Sequence, residues 1–418
     1  MFGQEKVRSI LKNYFTTEGK REDSLAFEAV RRFIHGMVFY KTYVIPLPFF
    51  IVLNSIMVVL LLTENIIQIA HINWFGKLVE YNLSYPAVFY SLLVIKNRKD
   101  LIYISESIDV WWNYPFLEDK TKMIKKKAEA WLKRFTSAYY TLMILGFLCI
   151  FFQPLGKFIW NGRTDLKDLL LFKCWSPVPL DKTWGLVTIM VFEIIAQFSP
   201  FFMYSAIGSY MITMTILFYH QTNLIGVAFT TIEKRVWMMV RARTETSNGA
   251  YQIYSKNLQQ EIANCARNYQ NLYEYLKKMC EIFNVTTNIL YYTGMCLLVS
   301  SGLQIVTKKT NALLLFQAVM LITSVIVNQY LNSFITETLS EAQSSLRISV
   351  YNCDWYNMPK KCQININLML ILVSYSPKLT TILGARCDKE FLSKVINASY
   401  CYFNALHSMR ADRTGSLE

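Results

Sequence analysis

Apolar residues in this chain gather into long blocks rather than the narrow stripes of a soluble amphipathic helix. The blocks lie near 44–62, 66–95, 135–158, 186–218, 281–306, 313–334 and 383–408. At about 1.5 Å rise per residue, about 20 residues cross the hydrocarbon layer of a bilayer. The pattern predicts an all-α membrane protein with seven transmembrane helices. The second and fourth blocks are interrupted, by His71, Lys77 and Glu80 and by Glu193 respectively, and the seventh carries polar residues throughout. Met1 to Lys20 lacks the continuous apolar core of a secretory signal, so the first span is expected to direct insertion.

The polar residues of the last block are themselves periodic. Glu390, Lys394, Asn397, Cys401, Asn404 and Ser408 recur at steps of three or four, along one face of a helix. A polar stripe on a spanning helix must meet protein or water, because hydrocarbon leaves its hydrogen-bonding groups unsatisfied. Spacing alone admits two readings: a pore wall, or a helix held to its neighbours by polar side chains.

The segments between blocks are also patterned. A helical period runs from His220 to Arg241, Ser247-Asn-Gly249 marks a turn, and the helix resumes from Tyr254 into the fifth span. In the resumed part Leu258, Ile262, Cys265, Tyr269, Leu272, Tyr275 and Leu276 share one face, so a buried seam is expected outside the membrane. The chain then divides into 1–43, a cytoplasmic amino-terminal segment; 44–218, spans one to four; and 219–280, cytoplasmic helical extensions. These are followed by 281–334, spans five and six; 335–380, a cytoplasmic anchor; 381–410, a pore-lining seventh helix; and 411–418, a tail in which Gly415-Ser-Leu-Glu418 reads like the remnant of a cleavable tag.

Composition agrees with a membrane class: 53% of residues are hydrophobic and 17% charged, which excludes a disordered chain. Charge adds orientation. Residues 1–43, 96–134, 219–280 and 335–380 hold roughly thirty of the 43 Lys and Arg residues, against about seven in the alternate connections, which predicts a cytoplasmic amino terminus and an extracellular carboxyl terminus. The net charge of +14, with clusters at Lys122–Lys127 and Lys360-Lys361, then belongs to loops beside an anionic leaflet and implies membrane lipids rather than nucleic acid as partners. The sequons at Asn82, Asn284 and Asn397 fall within helices or near the inner side, where no glycan is expected. Of nine cysteines only Cys174 sits in an outer loop, with Cys149 or Cys296 as the residues able to reach it.

Signatures of catalysis are missing. His35, His71, His220 and His407 are scattered, and there is no Cys-x-x-Cys, paired-His metal spacing or glycine-rich phosphate loop. The sequence implies no enzyme activity, metal or cofactor. A transporter would more often show internal repeats or paired helix breaks, and neither is visible.

The carboxyl-terminal fifth carries a set of short motifs: Thr336-Glu337-x-Leu339, Ser344, Val350-Tyr351-x-Cys353-x-Trp355-Tyr356, Lys378-Leu379-Thr380 and Ser399-Tyr400-x-Tyr402-Phe403. Together these resemble the carboxyl-terminal signature of insect odorant receptors, and the length and inside amino terminus match as well. Thr336 stands where a Gly commonly precedes the Glu, and Ile382 to Asp388 replaces the usual aromatic-proline segment.

The resemblance implies a plasma-membrane, multi-pass subunit of a ligand-gated cation channel, a tetramer with a central pore lined by the seventh helix. Asn397, Cys401, Asn404, Ala405 and Ser408 would line that pore, and Tyr351, Trp355, Tyr356 and Lys378 would belong to the subunit anchor. Loop lengths resemble the odour-tuning members, which implies a heterotetramer with a shared co-receptor subunit. A small volatile odorant would bind between the outer halves of spans two, three, four and six. Mapped by topology, its contacts are His71, Phe75, Met143, Phe147, Phe151, Met190, Glu193, Ile194, Phe316 and Met320. Aromatic and Met side chains there offer adaptable dispersion contacts, and burying about 200–300 Å² yields roughly 5–7 kcal/mol. Alternatives are a gustatory-type or homomeric chemoreceptor channel, and a metabotropic seven-helix receptor, which the inverted topology and the missing Asp-Arg-Tyr motif disfavour.

Overall fold

The computed structural model describes residues 114–151, 178–179, 182–241, 250–307, 312–375, 377–381 and 384–415, with isolated helical positions between 52 and 59 and between 88 and 104. In chain order the helices are α1 (Glu118–Phe151), α2 (Thr183–Thr230), α3 (Ile232–Arg241), α4 (Ala250–Thr307), α5 (Ala312–Tyr351), α6 (Lys360–Ser374) and α7 (Lys389–Gly415), with a 3-10 turn at Trp355–Asn357 before α6. These labels follow the described residues and are not a count of membrane crossings. No strand forms among the described residues; there is one isolated bridge, Thr380 to Arg386.

Length sets the architecture. At about 1.5 Å per residue α2, α4 and α5 are roughly 72, 87 and 60 Å long, two to three times the hydrocarbon thickness, so each extends well beyond a bilayer. Two of them, in Tyr251–Gly302 and Ala318–Asn357, hold windows apolar enough to cross a membrane. The end of the bundle that carries α3 and α6 is called the lower end here, and the end where α4 passes to α5 the upper end.

The continuous core sits in the lower half. α2 packs against α1, α4 and α5, α4 against α3, α5, α6 and α7, and α5 against α6 and α7. Phe218, Leu224, Phe229, Val236, Leu258, Tyr269, Met279 and Val350 from these helices are almost fully buried in one cluster. Every member of the expected seam from Leu258 to Leu276 is in it. Two glycines allow the closest helix approaches. A Cβ at Gly208 of α2 would lie 2.0 Å from the Tyr139 hydroxyl of α1, and one at Gly294 of α4 would lie 2.0 Å from Gln329 Nε2 of α5.

A buried polar node ties α3 to α4. α2 ends at Thr230, and the helix resumes at Ile232 with Arg235 among its buried residues. Arg235 Nη1 donates to Glu261 Oε2 at 2.7 Å and Nη2 to the Ala228 carbonyl at 3.0 Å, while the guanidinium lies 5.4 Å from the Tyr114 ring centroid. Tyr114 Oη accepts from Asn268 Nδ2 at 2.9 Å. Burial raises the Tyr114 phenol and pushes the adjacent Cys265 thiol up to about 12, so both stay neutral.

Candidate functional site

The short motifs of the last fifth turn out to be joints. α5 ends at Tyr351, and the chain reverses through Asp354, whose φ of 51° is left-handed, into the 3-10 turn and then Pro359 at the start of α6. Cys353 and Met358 plug this reversal from inside, while Tyr351 and Tyr356 project outward, 62% and 64% exposed. Trp355 is half-buried against the core and Lys378 is exposed.

Below α7 the chain makes a small hairpin. Thr380 N donates to Asn284 Oδ1 of α4 at 2.9 Å, Thr381 N to the Ala385 carbonyl at 2.7 Å, and Ala385 N to Thr381 Oγ1 at 3.0 Å. Gly384 supplies the φ of 79° that closes the turn. Asp388 then caps the helix, its Oδ1 accepting from Phe391 N at 3.0 Å. α7 therefore starts at Lys389 rather than at 381 or 383 as the apolar block suggested, because Thr380, Thr381, Gly384 and Ala385 spend their backbone groups on the hairpin and Asp388 caps the helix. It also runs on to Gly415, past the expected end at 410.

Lys389 links this start to α5. Its ammonium pairs with Glu337 Oε2 and lies 6.0 Å from the Tyr330 ring centroid, and its backbone N donates to Glu337 Oε1 at 3.4 Å. The Glu of the Thr336-Glu337 motif thus fastens α7 to α5.

α7 has two unlike faces. Leu392, Val395 and Ser399 are buried against α4 and α5, with Phe391 5.1 Å edge-on to Tyr291 and Phe403 against Gly302. Asn397, Cys401, Asn404, Ala405 and Ser408 all lie on exposed positions of the opposite side, together with Glu390 and Lys394. The polar stripe is thus not used to hold α7 to its neighbours within the subunit. Tyr400 and Tyr402 flank it, 64% and 59% exposed.

A second outward stripe was not apparent from sequence. Ile364, Leu368, Ile371 and Tyr375 of α6 follow one another at helical spacing and are 56–77% exposed, whereas Cys362, Ile366, Met369 and Val373 bury the other face. Because both faces of α6 are apolar, periodicity gave no contrast by which to separate them.

The residues expected around an odorant are only partly placed. His71 and Phe75 lie outside the described residues, as do the side chains of Phe147, Phe151 and Phe316. Met143 of α1, Met190 and Ile194 of α2 and Met320 of α5 are half-buried, and Glu193 of α2 is fully buried. Cys296 carries a free thiol, so no disulfide to Cys174 runs through it.

One cleft is described lower down, between α1, α2 and α5. It is shallow and nearly filled by its own side chains, and its walls include Trp131, Phe135, Ile212, Thr215, Tyr219 and Phe334. Trp131 stacks on Tyr219 at 5.9 Å, and Phe135 on Phe334 at 5.4 Å. No sequence pattern announced it, since its walls come from three distant segments.

A bundle of overlong helices with two exposed stripes, one polar and one apolar, fits a helical membrane fold. The sequence model of the family described as 7tm Odorant receptor matches residues 88–383. The chain belongs to the odorant receptor family, whose members are membrane receptors and not enzymes. Its fold is similar to that of the insect olfactory receptor OR5 from Machilis hrabei in complex with eugenol, with a TM-score of 0.76 at 11% identity over 92% of this chain and 97% of that one. The structure described as OR5 from the same species, with no ligand named, matches with a TM-score of 0.72 at 12% identity over 93% of this chain and 92% of that one. No curated protein matches the sequence significantly.

Proposed function

We propose that this odorant receptor is a subunit of a ligand-gated, non-selective cation channel that binds a small volatile molecule within its membrane region and opens a central pore together with co-receptor subunits. The observation that carries the reading is the exposed stripe of α7. Asn397, Cys401, Asn404 and Ser408 face away from the subunit on a helix whose opposite side is packed. In a membrane such a face requires water or other subunits, and a pore at a symmetry axis supplies both. The apolar stripe of α6 fits the same assembly, since four large apolar side chains in a row at the lower end suit a subunit interface. In this reading the lower end is cytoplasmic and forms the anchor.

The ligand region is proposed at the upper halves of α1, α2 and α5. Met143, Met190, Ile194 and Met320 supply adaptable apolar contacts there and Glu193 a buried polar group, with His71, Phe75, Phe147, Phe151 and Phe316 as the further contacts. OR5 of Machilis hrabei was solved with eugenol, a small aromatic odorant, which supports a ligand of that size class for this fold. Opening follows only if the ligand favours the open arrangement.

Whole-cell current decides the matter. Cells expressing this chain with a co-receptor are expected to pass volatile-evoked cation current, and cells expressing the chain alone are not. Current from the chain alone would make it a self-sufficient channel; none in either case would remove the channel reading.

A further inference from the structure

The first turns of α7 put charge on its exposed face. At about 100° per residue, Glu390, Lys394, Asn397, Cys401, Asn404 and Ser408 fall within an arc of about 80°, roughly half a turn from the buried line of Leu392, Val395 and Ser399. Between Glu390 and Ser408 the sequence holds no Asp, Glu, Lys or Arg other than Glu390 and Lys394. Both stand at the foot of the stripe, one turn apart.

Lys394 is out of place on a wall that cations pass. Rings of carboxylates suit cation pathways, and rings of Lys or Arg suit anion pathways. Here, however, the ammonium is covered. Lys394 Nζ lies 2.7 Å from Glu390 Oε1, with the glutamate nearer the amino terminus, the favourable order for a pair four residues apart. The other carboxylates near the foot are engaged. Glu337 holds Lys389, and Asp388, which adds a weaker attraction to Lys394, caps the helix through Oδ1.

The pair contributes little to the fold. The Lys394 and Glu390 side chains are 69% and 76% exposed, and ion pairs in water add little to stability, so substituting either is expected to leave the subunit folded. Glu390 also sits in the first turn, where a negative charge favours the helix dipole. That role is indifferent to whether residue 394 is charged.

We propose that Glu390 is an electrostatic screen for Lys394, cancelling its charge at the lower mouth of the pore and so setting how readily cations enter from that side. The premise is that α7 lines the pore with its foot at the cytoplasmic end, as proposed above. Lys394 lies about 21 Å below Ser408 at about 1.5 Å per residue, so an uncovered charge there acts on ions arriving from one side. For an ion passing at about 6 Å in water, one such charge alters the local cation concentration by roughly two- to threefold.

The test is the current-voltage relation of the full chain expressed with its co-receptor in symmetrical sodium, opened by eugenol or, failing that, by the first member of a volatile panel to evoke current. Glu390→Gln is expected to lower outward current by about two- to threefold and inward current by less. Lys394→Gln, which leaves the carboxylate uncovered, should raise the ratio of outward to inward current. Glu390→Gln/Lys394→Gln should return to the native relation, a rescue that a role confined to the helix terminus does not give. Superimposable relations in the native chain and both single variants, or a double variant that behaves like Glu390→Gln, overturn the screen while leaving the pore in place. Absence of current from the native pair across the panel overturns both. Should Glu390→Gln fail to reach the surface, Lys394→Gln decides against the native chain, and an unchanged ratio overturns the screen.

Discussion

The lower and upper halves of this molecule solve different problems. Below, the helices close a core of their own: Leu258, Ile262, Tyr269, Phe218 and Phe229 are almost completely buried, and the one deeply buried cation, Arg235 among the described residues, has its carboxylate. Above, large apolar side chains point outward. Ile144, Leu145, Val187, Val191, Ile195, Leu315 and Val319 are 42–56% exposed. The lower half is packed like a soluble protein, and the upper half leaves part of its packing to the lipid around it. The contrast teaches where sequence change is tolerated: a site bounded by methyl groups can be re-tuned, whereas a closed core with a buried ion pair cannot.

The sharpest way to break that contrast is at Arg235. Arg235→Ala strands Glu261 in the core and is expected to cost about 3–5 kcal/mol, enough to abolish surface delivery. Loss of a monodisperse peak and of surface labelling would show it, and near-native expression would mean that Glu261 reaches water. Leu368→Asp on the outward face of α6 should leave the subunit folded and prevent assembly, read as a shift from tetramer to monomer on native gels. An unshifted tetramer would remove this face from the interface.

A water-soluble thiol reagent should reduce current by modifying Cys401, with Cys401→Ser protecting. Cys265 and Cys280 stay silent, because burial pushes both thiols up to about 12 and only the thiolate reacts. Block that persists in Cys401→Ser would place the reactive site elsewhere. Smallest in effect is Glu193→Gln in the upper half, expected to change the ranking of ligands by severalfold while leaving expression intact. Superimposable dose-response curves over a volatile panel would take Glu193 out of the ligand region.

Much of the lower half was legible because it is periodic. The seam of α4 from Leu258 to Leu276 buries as its spacing required, whereas the turn expected at 247–249 lies outside the described residues. The exposed stripe of α7 was legible for the same reason. What the sequence concealed lacks local contrast. α6 is apolar on both sides, so its free face could not be told from its buried one. The cleft around Trp131 joins residues 131, 219 and 334, a proximity that no spacing encodes. The start of α7 was placed too early because an apolar block shows no break before Lys389, whereas the backbone groups of Thr380, Thr381 and Ala385 are committed to the Thr380–Arg386 hairpin.

That hairpin gives α7 an asymmetric suspension. Its foot is clasped three ways, by Asn284 to Thr380, by Asp388 to Phe391 and by Glu337 to Lys389, whereas Ser408 stands about 28 Å farther along the axis at about 1.5 Å per residue. The helix is a lever with a fixed fulcrum. A tilt of about 5° at the clasp moves the lower turns by a fraction of an ångström and the Ser408 level by about 2.5 Å, on the order of a water radius or more per subunit. A small adjustment where α4 and α5 grip the foot is therefore delivered, enlarged, at the far end.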